Sequence, residues 1–484
     1  MSPTNNPVIY WFRQDLRLAD LPGLHQAAAT GRPVLPCYIL DDETPGAWNP
    51  GAASCWWLHH SLVSLDHALR SRGSRLVIRR GRTGEQLRNL AHETGASAVY
   101  CSEHFEPWNR SLEQDLAVEL EQEGVRLHRQ PGVLLRHPEH VRNGSGAAFK
   151  VFTPFWKSYL RADPPASIIP EPRPESYLQQ TPAGLTPEEW NLLPQPGQWA
   201  EPWQHIWSPG EAGASTALQG FVSAGIASYE KARDIPSLAG TSRLSPHLHF
   251  GEISPRQVWH TITAASHSHQ LRPAEKFLSE LGWREFNYHL LYHNPQLPEQ
   301  AFRQSFTRFP WLSRPELFDR WKRGETGYPL VDAGMRELWH TGFMHNRVRM
   351  ICASFLTKHL LIPWQWGARW FWDTLVDADL ANNSGGWQWV AGCGADAAPY
   401  FRIFNPVLQG QKFDPEGAYV RRWIPELSAL PNKYVHAPWT LPARACAEFA
   451  FEPGKTYSPP LVDHKAARDA ALAAYGAMKA TDGP

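Results

Sequence analysis

The two halves of this chain follow different periodicities, and that contrast limits the available folds more than any other feature. Short apolar runs at 7–12 (PVIYWF), 34–40 (VLPCYIL), 75–79 (RLVIR) and 97–101 (SAVYC) have the length and composition of buried strands. Helical spacing of apolar residues fills 53–72, 84–94 and 108–122 between them. Strands alternating with helices bury both faces of a sheet, so residues 1–132 should form a doubly wound parallel α/β domain. Beyond 215 strand patterns become rare, and helical ones cover 214–225, 254–265, 273–292, 328–360 with a break near Gly342, and 366–376. Residues 214–484 should therefore form an all-helical domain. The proline-rich stretch between them, 133–213, reads as a long ordered connector laid over the surface.

Composition narrows the function. At 484 residues the chain exceeds one ordinary core. Lys plus Arg and Asp plus Glu are balanced at 47 each, so a polyanion has to be met by a local patch. Twenty-three Trp call for cores, ligand stacking or electron relay. The six cysteines show no CxxC pairing, which argues against zinc sites and disulfide frameworks and fits a reducing cytoplasm; no metal ligand is expected. No basic segment leads into an apolar run at the N-terminus, and no stretch of about eighteen apolar residues occurs, so a soluble, unexported protein is expected. The first strand runs into WFRQDLRLAD without the glycines of a dinucleotide loop, which makes a nicotinamide site unlikely. Gly454-Lys455-Thr456 fails as a phosphate loop because Phe449 stands where its first glycine belongs.

The richest chemistry lies in 375–405. Asp377 and Asp379 precede Asn382 and Asn383, a Ser384-Gly385-Gly386 segment read as a flexible turn, and the indoles Trp387 and Trp389. Rings beside acids and amides suit a pocket that stacks and hydrogen-bonds a planar ligand; a buried turn with helix-capping Asp residues is the other reading. In 240–250 (GTSRLSPHLHF), Thr241, Ser242, Arg243 and Ser245 suit a pyrophosphate, or simply cap a helix. In 277–288, Glu280, Trp283 and Arg284 share one helix face, as a ligand wall or as a solvated ion pair. In 343–352, Met344, Val348 and Ile351 can face a core while Asn346, Arg347 and Met350 share another side, and Arg349 can pair with Asp377.

These segments together resemble the photolyase and cryptochrome family over essentially the whole chain. WFRQDLRLAD is similar to its N-terminal signature, GTSRLS to its flavin phosphate loop, and GYPLVDAGMRELWHTGFMHNRVRM with DADLANNSGGWQW to its active-site helices. The resemblance implies an α/β domain that lodges an antenna pigment and a helical domain that holds FAD. It implies that Tyr229, Thr241, Ser242, Arg243, Leu244, Ser245, Arg284, Arg349, Asp377, Ala378, Asp379 and Asn383 bind FAD, with Asn383 near the reactive flavin nitrogen.

Family branches differ at the substrate. Those that repair cyclobutane pyrimidine dimers carry a Glu and Trp on one wall and a Met and Trp on another, matching Glu280, Trp283, Met350 and Trp389. The (6-4) photolyases place a His pair where Asn346 and Met350 stand, and plant cryptochromes carry Asp at the Asn383 position. LLIPWQWGARWFWDTLVDADL and the NPVLQGQKFDPEG run nevertheless look much like plant cryptochromes. The implied activity is light-driven repair of UV-damaged DNA by a monomer. Its alternative is a blue-light-sensing flavoprotein without repair.

Arg233, Arg284, Arg347 and Arg402 would meet phosphates, with Asn346 and Gln409 also at the DNA. Trp387, Trp364 and Trp311 match the family's electron relay, beside the plain reading of core tryptophans, and Trp366, Trp370 and Trp372 offer a parallel route. Relatives using 8-hydroxy-5-deazaflavin carry Lys where His249 stands. The plant-like kinship points instead to 5,10-methenyltetrahydrofolate, with FMN or no antenna as alternatives.

Overall fold

The computed structural model describes residues 6–194, 199–266, 271–397 and 402–480. They form two compact units, one from 1–198, 207–227 and 242–295, the other from 199–206, 228–241 and 296–484. In the first, five parallel strands, β1 (Val8–Phe12), β2 (Val34–Leu40), β3 (Val77–Arg80), β4 (Ala98–Ser102) and β5 (Arg126–Gln130), lie in the order β3-β2-β1-β4-β5. Helices α1 (Pro22–Ala29), α2 (Ala52–Arg70), α3 (Thr83–Thr94) and α4 (Pro107–Gln122) connect them. Every residue of β1 is buried, as a central strand covered on both faces requires.

Pattern reading does not find β5 or α1. RLHRQ carries arginine at its first and fourth positions and is partly exposed, as an edge strand can be; only its backbone pairing with β4, from Ala98 opposite Arg126 to Ser102 opposite Gln130, makes it a strand. Helix α1 is short and alanine-rich. The segment after β1 is architectural: the buried Arg17 donates to Gly251 O at 2.8 Å, Asp20 O at 2.9 Å and Gly132 O at 3.0 Å, tying its own loop to two distant ones.

The connector contributes α5 (Phe152–Arg161), and the first unit also takes α6 (Leu271–His293). The second unit holds α7 (Pro329–Thr341), α8 (Asn346–Ser354), α9 (Trp364–Thr374) and α10 (Leu380–Ala391) around a core that includes Trp321, Val331, Val348, Phe355 and Trp364. The break expected near Gly342 is a left-handed residue, φ 66°, that ends α7. Met344, Val348 and Ile351 are buried, as the spacing indicates. One local reading is corrected: Ser384, Gly385 and Gly386 are no turn but lie inside α10. No helix among the described residues is long and apolar enough to cross a membrane.

Candidate active site

In the second unit, α10 begins at Asp379, whose Oδ1 accepts from Asn382 N at 2.8 Å and Asn382 Nδ2 at 2.7 Å. That cap, and packing against α9, hold the glycine pair helical. The Trp387 ring occupies the place a Cβ on Gly367 would take, 2.0 Å away, so α9 and α10 approach closely only because Gly367 has no side chain. Asn383 Nδ2 donates to Ala368 O at 2.9 Å, which orients its amide. Asp377, Ala378 and Asp379 are buried, and Arg349 Nη2 donates to Asp377 Oδ2 at 2.9 Å, the pair expected from the sequence.

Helix α8 starts at His345, whose Nδ1 accepts from Arg347 N at 3.2 Å. Burial pushes this imidazole down to about 4, which suits an acceptor. Arg347 Nη2 donates to Asp234 Oδ1 at 2.7 Å, and its guanidinium lies 4.5 Å from the Phe413 ring centre. Asp234 is a partner that sequence reading missed, although it adjoins Arg233. Asn346 is exposed, Met350 and Trp389 are half-buried, and Gln409 lies on the helix Pro406–Phe413. Buried Lys358, lowered to about 7 by desolvation, donates to Arg402 O and so anchors the backbone of the exposed Arg402.

Tyr229 is buried, with the Arg233 guanidinium 5.4 Å from its ring centre, and Thr241 is half-buried. Trp387 and Trp364 belong to one core, with Trp311 packed against it. Trp387 also meets Phe371 at 5.0 Å and Trp321 at 6.2 Å, a ring that sequence reading did not single out. Trp370 lies parallel to Trp339 at 5.9 Å.

In the first unit, Trp283 stacks on Phe152 at 3.8 Å with the rings 9° from parallel. On this helix Lys276 pairs with Glu280 at 3.3 Å and Arg284 with Glu285 at 3.3 Å. Arg284 also donates to Val133 O at 3.0 Å. Glu285, raised by burial, accepts from Tyr159 Oη at 2.6 Å and Leu135 N at 3.0 Å. Ser242 Oγ accepts from Leu244 N at 3.4 Å, Arg243 has a left-handed φ of 52°, and Ser245 opens a helix of only five residues, Ser245–His249. The Arg243 guanidinium lies 4.6 Å from the Trp207 ring centre.

His137, Glu139 and His140 bring donor atoms within 4.8 Å of one another, a grouping that the sequence did not signal. His137 spends Nδ1 on Glu139 N and Nε2 on Glu103 Oε1, both at 3.2 Å, so its imidazole is committed to hydrogen bonds.

In the second unit the buried carboxylates and oriented amides suit a planar ring that hydrogen-bonds, and in the first unit the hydroxyls and arginine at 242–245 suit a phosphate group. A family model described as "FAD binding domain of DNA photolyase" matches residues 277–477, and one described as "DNA photolyase" matches 8–175. The deoxyribodipyrimidine photo-lyase of Agrobacterium fabrum is 46% identical over 481 residues, 99% of this chain and 100% of that protein. The chain belongs to the photolyase and cryptochrome family.

Its photolyase fold is that of a class III photolyase from Agrobacterium tumefaciens, whose crystal structure matches with TM-score 0.95 at 46% identity, covering 99% of both chains. Cryptochrome-1 of Arabidopsis thaliana is 36% identical over 464 residues, 94% of this chain and 68% of that protein. Both family parts, the parallel α/β domain and the helical FAD-binding domain, are present.

Proposed function

We propose that the protein is a deoxyribodipyrimidine photolyase that uses light to split cyclobutane pyrimidine dimers in UV-damaged DNA. The observation that carries this reading is the match to a photolyase along 99% of the chain. Glu280, Trp283, Met350 and Trp389, all present, support it. We assign antenna binding to 1–132, the connector to 133–213, and FAD and DNA binding to 214–484. A cytoplasmic monomer acting on one lesion at a time fits this assignment.

A cyclobutane dimer opens readily once an extra electron enters its ring. FAD, bound in its reduced form, supplies a donor that light excites. The chain supplies binding, geometry and field. Thr241, Ser242, Arg243, Leu244 and Ser245 suit the pyrophosphate, with Tyr229, Arg284, Arg349, Asp377, Ala378, Asp379 and Asn383 lining the rest. Photolyases flip the target out of the duplex, which costs least for a poorly stacked lesion. Trp283 and Trp389 stack on the flipped bases, Met350 packs beside them, and Glu280 hydrogen-bonds a base edge. Arg233, Arg347 and Arg402, with Asn346 and Gln409, hold the flanking strand, so affinity should fall with salt. Trp387, Trp364 and Trp311 form the relay that returns the cofactor to its working state.

For the antenna we favour 5,10-methenyltetrahydrofolate, on the kinship with plant cryptochromes and on His249 standing where Lys marks deazaflavin users. Pigment extraction and mass measurement would distinguish it from 8-hydroxy-5-deazaflavin, FMN or no pigment. The second reading, a light-sensing protein without repair, draws on the 36% identity with the Arabidopsis cryptochrome. Illuminating the purified flavoprotein with a dimer-containing oligonucleotide decides between them. Loss of dimer is expected, and persistence of dimer under saturating light would overturn the proposal.

A further inference from the structure

We propose that Phe152 and the aromatic stack behind it set the plane of Trp283 and leave that ring one face for a base, which makes Phe152 a positioning residue for lesion binding. The inference rests on the reading of Trp283 as a lesion-stacking wall. Trp283 is half-buried while Phe152 is 9% exposed, and the two rings lie 3.8 Å apart and 9° from parallel. Behind Phe152 the Trp156 ring continues in the same orientation, at 6.3 Å and again 9°. Phe286 meets both front rings edge-on, Phe152 at 5.9 Å and Trp283 at 5.8 Å, which opposes tilting of either.

The backbone is adapted to the same stack. A Cβ on Gly282, the residue before Trp283, would stand 2.4 Å from the Trp156 ring, so only glycine lets α6 lie this close to α5. A loose indole would lose rotamer freedom each time a base stacked on it; one already clamped on its far face has less to lose, which is how preorganisation raises affinity. The segment that supplies the clamp belongs to the connector, so that stretch takes part in recognition as well as joining two domains.

The test is lesion affinity of the full flavoprotein, read beside its affinity for the same oligonucleotide without a dimer. Phe152→Leu should weaken dimer binding roughly threefold to tenfold, the worth of one aromatic pair, with undamaged DNA binding and flavin content unchanged. Phe152→Tyr should restore it. Combined with Trp283→Ala, the Leu substitution should add no further loss, because the ring it positions is gone. Equal losses for damaged and undamaged DNA, additive losses in the double variant, or unchanged dimer affinity for Phe152→Leu would each overturn the inference. If Trp283→Ala itself binds dimer normally, the reading of Trp283 falls instead, and the two failures are thereby told apart. Should Phe152→Leu fold poorly, Gly282→Ala displaces the same stack from behind and should produce the same selective loss.

Discussion

At the residue scale, the electrostatics of single side chains give the most direct tests. Glu280→Gln keeps a hydrogen-bonding shape and removes the ionisable group, so dimer affinity should stay within about tenfold while repair per absorbed photon falls, because preorganised polar groups act chiefly on the charge that develops during reaction. Quantum yield beside lesion affinity checks this, and equal yields would remove Glu280 from the chemistry. Arg349 offers a second test. Asp377 is only 3% exposed at its side chain and Arg349 23%, so Arg349→Ala strips a buried carboxylate of its cation. We expect a loss of about 2–4 kcal/mol of stability, toward the lower end because the arginine is partly solvated. Flavin content should fall as well, measured as the ratio of flavin to protein absorbance.

At the element scale, the contact of α9 with α10 positions both Asn383 and Trp387. Gly367→Ala puts a methyl group where the Trp387 ring lies, and overpacking of this kind costs about 1–3 kcal/mol. A lowered melting temperature should therefore come with slower photoreduction of oxidised flavin, since the displaced ring is one of the three proposed for the relay. Trp311→Phe separates relay from packing: it keeps an aromatic ring against the core but is much harder to oxidise. Photoreduction should slow strongly while chemically reduced enzyme repairs normally. A branch through Trp366, Trp370 and Trp372 would rescue Trp311→Phe but not Trp387→Phe, so the two variants are measured together. Normal photoreduction in both would end the relay assignment. Helix α10 is where sequence pattern misled: a Ser-Gly-Gly run has low helix propensity, yet the Asp379 cap and the close packing on Gly367 outweigh it.

At the scale of the whole molecule, buried histidines should govern acid stability. Desolvation lowers His289 and His345 to about 4 and His359 to about 3. Folded and unfolded chains both hold these imidazoles neutral above the ordinary value of about 6.5, so their contribution is then complete. As pH falls below that, the unfolded chain takes up protons first and stability drops, down to the folded values. Glu285 and Asp332, raised by burial, act in the opposite direction, because the folded chain binds their protons first. We expect the melting temperature to fall between pH 6.5 and pH 4, and His345→Asn, which keeps a cap acceptor for α8, to reduce that slope. An unchanged slope would show that His345 contributes nothing to it.

Sequence alone was enough for the broad architecture and the family resemblance, and it nominated the candidate site residues. Alternating strand and helix is a local periodicity, and motifs such as DADLANNSGGWQW are contiguous strings. Contacts between distant segments were decided only by tertiary structure. β5 became a strand by pairing with β4, since an edge strand has little apolar pattern of its own. Arg347 met Asp234 and Arg284 met Val133 O, because a long flexible side chain takes whichever partner the fold brings within reach. Phe152 came to rest on Trp283, 131 positions further along the chain, and no spacing rule links two rings that meet only when two helices pack.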